Sequence, residues 1–268
     1  MADSSIVFIT GANTGIGFET VKALVQSPSP YYIFMGSRDL TKAGNAIVEL
    51  KDIMARSKST VEPVQIDVTD DESIQRAAET VQAKFGRIDV LINNAGAHFE
   101  RSFTADSPNF RALFNKAYDI NVTGAQVTTT IFAPLLLKST GPRLIFLTSG
   151  VSTLEGAFNS FRPPWAPSPK AGWPKDGLSG GQGYKSSKAA LNMCMLTWHW
   201  ILKEDGVKTF AISPGLLATN LGGLGPDRLR AIGAKEPFLG GDLVKRVVEG
   251  ERDDDVGRVI SQDGVQPF

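Results

Sequence analysis

Two rhythms of apolar residues alternate along the chain. One is the short continuous run of β-branched and aromatic residues, as in Ile6-Val7-Phe8-Ile9, the pattern of a strand buried on both faces of a parallel sheet. Such runs recur at Tyr31 to Met35, Val61 to Ile66, Ile88 to Ile92, Leu144 to Leu147, Val207 to Ser213 and Gly257 to Ser261. The other rhythm repeats every three or four positions and predicts helices. It runs through Val21, Leu24 and Val25, then from Leu40 to Arg56, Glu72 to Phe85, Ser107 to about Leu137, Tyr184 onward, and Leu239 to Glu249. Strand and helix alternate throughout, with no internal repeat and no linker. The expected fold class is therefore α/β, a single domain over residues 1–268 built on a doubly wound parallel sheet with helices on both faces.

Two stretches break the rhythm. Asn121 and Gly124 stand inside the 107–137 helix, where both are unfavourable by propensity, so a kink or a function for the amide is expected. Between Glu155 and Gly183 the chain carries Pro163, Pro164, Pro167, Pro169 and Pro174 with Trp165 and Trp173. Such a segment cannot form long regular structure and reads as an inserted lid over a cleft.

Composition narrows the function classes. Lys+Arg and Asp+Glu balance at 28 each, so no overall field draws the chain to nucleic acid or anionic membrane. No apolar stretch approaches the ~20 residues of a membrane span, and no basic segment precedes Ile6. Cys194 is the single cysteine, which suits a reducing compartment and reads as a small buried apolar residue. A cytoplasmic protein without a metal site is expected.

The chemistry sits where strands end. Thr10-Gly11-Ala12-Asn13-Thr14-Gly15-Ile16-Gly17 joins the first strand to a helix, a turn whose backbone amides can approach a pyrophosphate. Some 20 positions beyond these glycines, dinucleotide folds of the Rossmann type place an acid for NAD or an arginine for the 2′-phosphate of NADP; here Ser37 and Arg38 stand there and the acid is missing. Asp67 closes the third strand, and Thr69 or Asp70 reads as the next helix's N-cap. Asn93-Asn94-Ala95-Gly96 closes the fourth, its small residues suited to a close ligand. Tyr184 and Lys188 leave one face of a helix, four residues apart. A fixed ammonium would pull the phenol below its reference value of about 10, making a tuned proton donor and acceptor.

Five signatures in this order resemble those of the short-chain dehydrogenase/reductase family, and the match covers nearly the whole chain. They are Thr10-Gly11-x-x-x-Gly15-x-Gly17, Asn93-Asn94-Ala95-Gly96, Asn121, Ser149 with Tyr184 and Lys188, and Pro214-Gly215 followed by Thr219. Arg38-Asp39 and the extra residues before Tyr184 look most like the NADPH-dependent carbonyl reductases. The resemblance implies NADP(H) as cofactor and a small-molecule carbonyl or alcohol substrate. It implies Tyr184 as general acid, with Lys188 lowering the phenol and holding the nicotinamide ribose. Ser149 would donate to the developing alkoxide, and Asn121 would hold a water linking Lys188 to solvent. It also implies Gly11, Asn13, Thr14, Gly15, Ile16 and Gly17 at the pyrophosphate, and Ser37 and Arg38 at the 2′-phosphate. Asp67 and Val68 would meet adenine, Asn93, Ala95 and Gly96 the ribose, and Pro214, Gly215, Leu217 and Thr219 the carboxamide.

Ser149 lies 35 positions before Tyr184, more than the family's usual spacing, which leaves Ser152 and Ser160 as rivals. Thr14 stands where carbonyl reductases often place a basic residue, so Arg38 carries the phosphate argument almost alone. His98 follows the Asn93 motif and reads as a loop imidazole without a role, with a substrate contact as the alternative. The substrate pocket is expected from the 97–103, 151–183 and 216–238 loops. Because the insertion masks helices that commonly form subunit interfaces, a monomer is favoured over a homo-oligomer. Two other functions fit the fold: a silent NADP-binding sensor or scaffold, and an alcohol dehydrogenase working in the oxidative direction. A silent relative would be expected to lack one of Tyr184, Lys188, Ser149 or Asn121, and all four are present.

Overall fold

The computed structural model describes residues 4–100, 109–160, 170–173 and 181–268. In chain order it contains β1 (Ser5–Ile9), α1 (Gly15–Val25), β2 (Tyr31–Ser37), α2 (Leu40–Glu49), α3 (Lys51–Met54), β3 (Thr60–Gln65), α4 (Asp71–Phe85) and β4 (Val90–Asn93). There follow α5 (Phe110–Tyr118), a π-helical turn (Asp119–Thr123), α6 (Gly124–Leu136), β5 (Arg143–Leu147), α7 (Leu154–Ser160) and α8 (Gln182–Leu202). The last elements are β6 (Lys208–Ser213), α9 (Pro226–Ala231), α10 (Phe238–Val248), β7 (Val259–Ser261) and β8 (Gly264–Gln266).

The strands form one sheet in the order β3-β2-β1-β4-β5-β6-β7-β8. The first seven in sequence are parallel, and β8 pairs with β7 antiparallel. The expected doubly wound sheet is present, with β8 added; a three-residue strand has too few apolar positions to announce itself. Alternate residues of each strand enter opposite cores. Phe8, Phe34 and Phe146 face α4, α6 and α8, whose Val81, Phe132, Leu191, Met195 and Trp198 complete that layer. Val7, Ile9 and Ile33 face the other layer, with Val21 and Leu24 from α1 and Leu243 and Val247 from α10.

The chain builds outward from β1 to β3 and then crosses to β4 on the other side of β1. This reversal opens a crevice beyond the carboxyl ends of β1 and β4, where open α/β sheets bind ligands. Caps set the neighbouring helices. The Asp39 carboxylate accepts from Thr41 and Lys42 N–H at the start of α2, and Asp70 does so from Glu72 and Ser73 at α4. The 107–137 helix is interrupted as expected, by the π-helical turn holding Asn121. Its expected start at Ser107, and the 161–169 and 174–180 parts of the insertion, lie outside the described residues. The insertion's described ends are α7, residues 170–173, and the start of α8.

Candidate active site

A cleft of about 710 Å³ runs from the glycine-rich turn after β1 to Tyr184 and Lys188 on α8. Gly11 and Gly15 take left-handed backbone angles of +61° and +58°, which lets the turn present its backbone to the cleft. Asn13, Thr14 and Ile16 line the cleft with them. Gly17 does not. A Cβ there would lie 2.5 Å from the Asn94 amide nitrogen and 2.7 Å from the Gly11 carbonyl oxygen. The expected pyrophosphate contact at Gly17 is therefore corrected: its bareness seats α1 against the β4 loop.

That loop is tied to β1 by its own side chains. Thr10 Oγ1 accepts from the Asn94 and Ala95 N–H groups at 3.0 and 2.9 Å, and the Asn94 amide donates to the Thr10 and Gly11 carbonyls. Asn94, Ala95 and Gly96 line the cleft. Asn93 is instead buried and donates to Thr129 Oγ1 on α6 at 2.9 Å. Successive side chains alternate across a strand, and the Asn93 side chain points inward, which leaves only its backbone for the ribose contact expected of it.

Beyond the ends of β2 and β3, Asp67, Val68 and Arg38 line the cleft. Asp67 Oδ1 accepts from Thr69, while Asp39 is spent capping α2. Arg38 is exposed and enters no ion pair among the described residues. Ser37 is buried, its hydroxyl donating to the Asp39 carbonyl and accepting from the Asp39 N–H. The hydroxyl expected at the 2′-phosphate is thus engaged within its own turn, next to Arg38. From the Pro214 to Thr219 stretch, only Thr219 lines the cleft; Pro214 and Gly215 lie outside it. Leu217 is buried against α10 and Ile16, backing the cradle from behind.

At the opposite end Ser149 stands near enough to the half-buried Tyr184 phenol to act on its titration, while its hydroxyl accepts from the Val151 N–H. Burial pushes the phenol above its ordinary value, Ser149 draws it down, and the Glu100 carboxylate raises it again. Lys188 lies 5.9 Å from the ring centre, but its ammonium donates to the Leu147 carbonyl at 2.7 Å, and burial lowers it to about 8. The expectation of a phenol lowered by its ammonium neighbour is not met in this arrangement: burial raises the phenol, and Ser149 rather than Lys188 is what draws it down. Ser152, the first rival to Ser149, is buried and donates to the Ser149 carbonyl while accepting from Asn192. Ser160 closes α7, and its side chain lies outside the described residues.

The Asn121 side chain is engaged by its neighbours. Its amide donates to the Ala97 carbonyl and to Ser187 Oγ, and its Oδ1 accepts from the Ala97 N–H at 2.8 Å. The side chain has no donor left for the expected water, so it clamps the loop after β4. A Cβ on Gly96 would come within 3.2 Å of both Asn121 Oδ1 and the Lys188 ammonium, so these three positions fit only without a side chain there.

Two residues of the 97–103 loop turn into the site. His98 lines the cleft, its ring 4.9 Å from that of Tyr184. Glu100 is 4% exposed and accepts the Tyr184 N–H at 2.7 Å. The one available signal was position: both follow the Asn93 motif directly. Nothing in an irregular loop's spacing says which side chains turn inward.

The family model described as short chain dehydrogenase matches residues 5–161. Among curated proteins, the short-chain dehydrogenase/reductase tropE of Talaromyces stipitatus is 47% identical over 269 residues, covering 100% of this chain and 99% of its own. The short-chain dehydrogenase/reductase eupG of Phoma sp is 43% identical, covering 98% and 97%. Among solved structures, an NADPH-bound carbonyl reductase from chicken fatty liver superposes with a TM-score of 0.78 at 23% identity, covering 99% of both chains. An alcohol dehydrogenase from the archaeon Thermococcus sibiricus, complexed with 5-hydroxy-NADP, gives 0.73 at 23% identity, covering 96% and 95%.

Proposed function

This chain belongs to the short-chain dehydrogenase/reductase family, and we propose that it is an NADPH-dependent carbonyl reductase in which Tyr184 protonates the carbonyl oxygen of a ketone or aldehyde. The observation that carries this reading is the meeting of Tyr184 and Lys188, with Ser149 beside the phenol, at one end of a cleft whose other end is the glycine-rich turn. Bound NADPH supplies the hydride. The turn from Gly11 to Ile16 holds the diphosphate through backbone N–H groups at the start of α1. Asp67 and Val68 border adenine, and Ala95 and Gly96 the adjoining ribose. Arg38 pairs with the 2′-phosphate, a choice favoured by the diversion of Asp39 to its helix cap.

Negative charge grows on the carbonyl oxygen during reduction. Tyr184 gives its proton there, and Ser149 donates a hydrogen bond to the same oxygen, so both act more strongly on the transition state than on the ground state. A phenol raised by burial is protonated near neutrality and is available as donor. Lys188 stabilises the phenolate left behind and binds the nicotinamide ribose hydroxyls. His98 and the 219–223 segment border the substrate end.

The test is a panel of ketones and aldehydes incubated with NADPH, followed by loss of its absorbance, with Tyr184→Phe alongside. Loss of one positioned acid typically costs about 10² to 10⁴ in rate. A Tyr184→Phe protein that keeps more than about a tenth of the wild-type rate puts the acid elsewhere.

A further inference from the structure

We propose that Glu100 is a positioning residue for Tyr184, acting on it through the helix backbone, through His98 and through its own buried charge. Carboxylates are almost never this buried unless something compensates them. Here one oxygen accepts the Tyr184 N–H at 2.7 Å. The other has no hydrogen-bond donor in reach among the described residues and faces His98 Nδ1 at 3.4 Å, within ion-pair range of a protonated ring. One oxygen is therefore compensated by the Tyr184 backbone, and the other is turned toward the His98 ring.

The backbone contact has a definite structural use. The N-cap position of α8 is Gly181, which has no side chain to accept from the first-turn N–H groups, and such groups need an acceptor when removed from water. Glu100 supplies it from 84 positions away. A negative charge in a helix's first turn is also favoured by the helix dipole. Since Tyr184 is the residue so held, the carboxylate fixes the Cα from which the phenol projects. On the phenol's other flank, the His98 ring lies tilted by 59° against the Tyr184 ring, and the same carboxylate faces its Nδ1.

The charge acts on the phenol as well. Several groups surround Tyr184: Lys188 from α8, Ser149 after β5, and His98 and Glu100 from the loop after β4. Lys185 lies beside Gly181, and Lys116 of α5 stands over the Phe99 ring at 4.5 Å. After burial and Ser149, Glu100 is what moves the phenol, and it does so upward. A donor must hold its proton until substrate arrives. Glu100 thereby keeps the phenol in its protonated form, a consequence that matters for the chemistry only on the reading of Tyr184 as proton donor.

The experiment uses the full chain, with tyrosine isotope-labelled at the hydroxyl-bearing carbon and titrated by NMR. Tyr184→Phe identifies the Tyr184 signal among the 4 tyrosines. Glu100→Gln keeps an oxygen for the Tyr184 N–H and removes the charge. It is expected to move the Tyr184 midpoint down by about half a pH unit or more, roughly a threefold change in the ionisation ratio, while the Tyr184 amide keeps its slow hydrogen exchange. Glu100→Ala is expected to lower the midpoint and also to speed that exchange at least about tenfold, by freeing the first turn. A Glu100→Gln midpoint equal to wild type, or a Glu100→Ala amide exchanging at the wild-type rate, overturns the proposal. Neither measurement needs turnover, so full activity in Tyr184→Phe would remove the proton-donor reading and leave the positioning result intact.

Discussion

The Lys188 ammonium stands 5.9 Å from the centre of the Tyr184 ring and donates 2.7 Å to the Leu147 carbonyl oxygen. A cation 4% exposed, with a neutral carbonyl as its hydrogen-bond acceptor, is costly to keep charged, and burial brings it down to about 8. Its charge is present below that value and lost above it. If that charge stabilises the phenolate left by proton donation, kcat/KM for the carbonyl should fall as pH rises through about 8. A profile flat well past that value would remove Lys188 from the chemistry.

The same burial makes a stability prediction of definite sign. Between about 8 and the ordinary 10.5, the unfolded chain holds a proton that the folded chain has released, so folding stability rises with pH across that window. Below about 8 the cost is fully present, on the order of 3 kcal/mol, partly offset by the Leu147 hydrogen bond at about 1 kcal/mol. Lys188→Met should therefore be inactive yet more stable than wild type at neutral pH, with its advantage shrinking as pH rises. Urea unfolding at neutral and alkaline pH checks this, and a variant less stable than wild type at neutral pH contradicts it.

Arg38 is expected to set cofactor choice. A charge-assisted contact contributes roughly 1.5 to 3 kcal/mol, or about ten- to a hundredfold. Arg38→Ala should lower kcat/KM for NADPH by that factor and leave NADH nearly unchanged. Equal use of both cofactors by the wild type would refute the assignment.

How far the sequence anticipates this site depends on which physical signal each residue leaves. Strand and helix periods are long and redundant, so the sheet and its two helical layers are legible, and so is the interruption around Asn121, where helix propensity and position conflict. Residues at strand ends were placed near the cleft by sequence position alone, and position does not give orientation. The Asn93 and Ser37 side chains turn into the interior, Gly17 packs beneath the turn, and Leu217, which the resemblance puts at the carboxamide, packs against α10. The charge balance at Tyr184 was also hidden. Four-residue spacing puts Lys188 on the phenol's face, but only the folded site shows burial raising the phenol, and only the folded loop brings Glu100 close from 84 positions away.

Asn121 offers a separable test of the loop after β4. Its amide is fully buried and makes three hydrogen bonds, two of them closing on Ala97. Asn121→Ala leaves the Ala97 N–H and carbonyl and the Ser187 hydroxyl to find other partners, and each buried group left unpaired costs about 1 to 3 kcal/mol. The expected outcome is a clearly lowered urea midpoint, together with a rate reduced because His98 and Gly96 share that loop. Unchanged stability would show that water or a shifted loop replaces the clamp.

The strand beyond the parallel sheet leads to the last prediction. After β8 the chain returns to the segment holding Ser149. The Phe268 carbonyl oxygen accepts from the Glu155 N–H at 3.1 Å and from Thr153 Oγ1 at 3.3 Å, and the Gln266 amide donates to the Ser149 carbonyl at 3.4 Å. The Phe268 ring packs against the core layer beneath α8. The ring is thus an anchor for a backbone brace that ends four to six residues beyond Ser149. Phe268→Ala removes the anchor and keeps the backbone groups, so the brace should loosen without altering the glycine-rich turn, which lies at the other end of the cleft. We expect kcat to fall several-fold with the Kd for NADPH unchanged, and faster hydrogen exchange at the Val151 and Glu155 amides. Equal losses in cofactor affinity and turnover would instead indicate a general loss of fold, and wild-type exchange at both amides would show that the tail does not brace this loop.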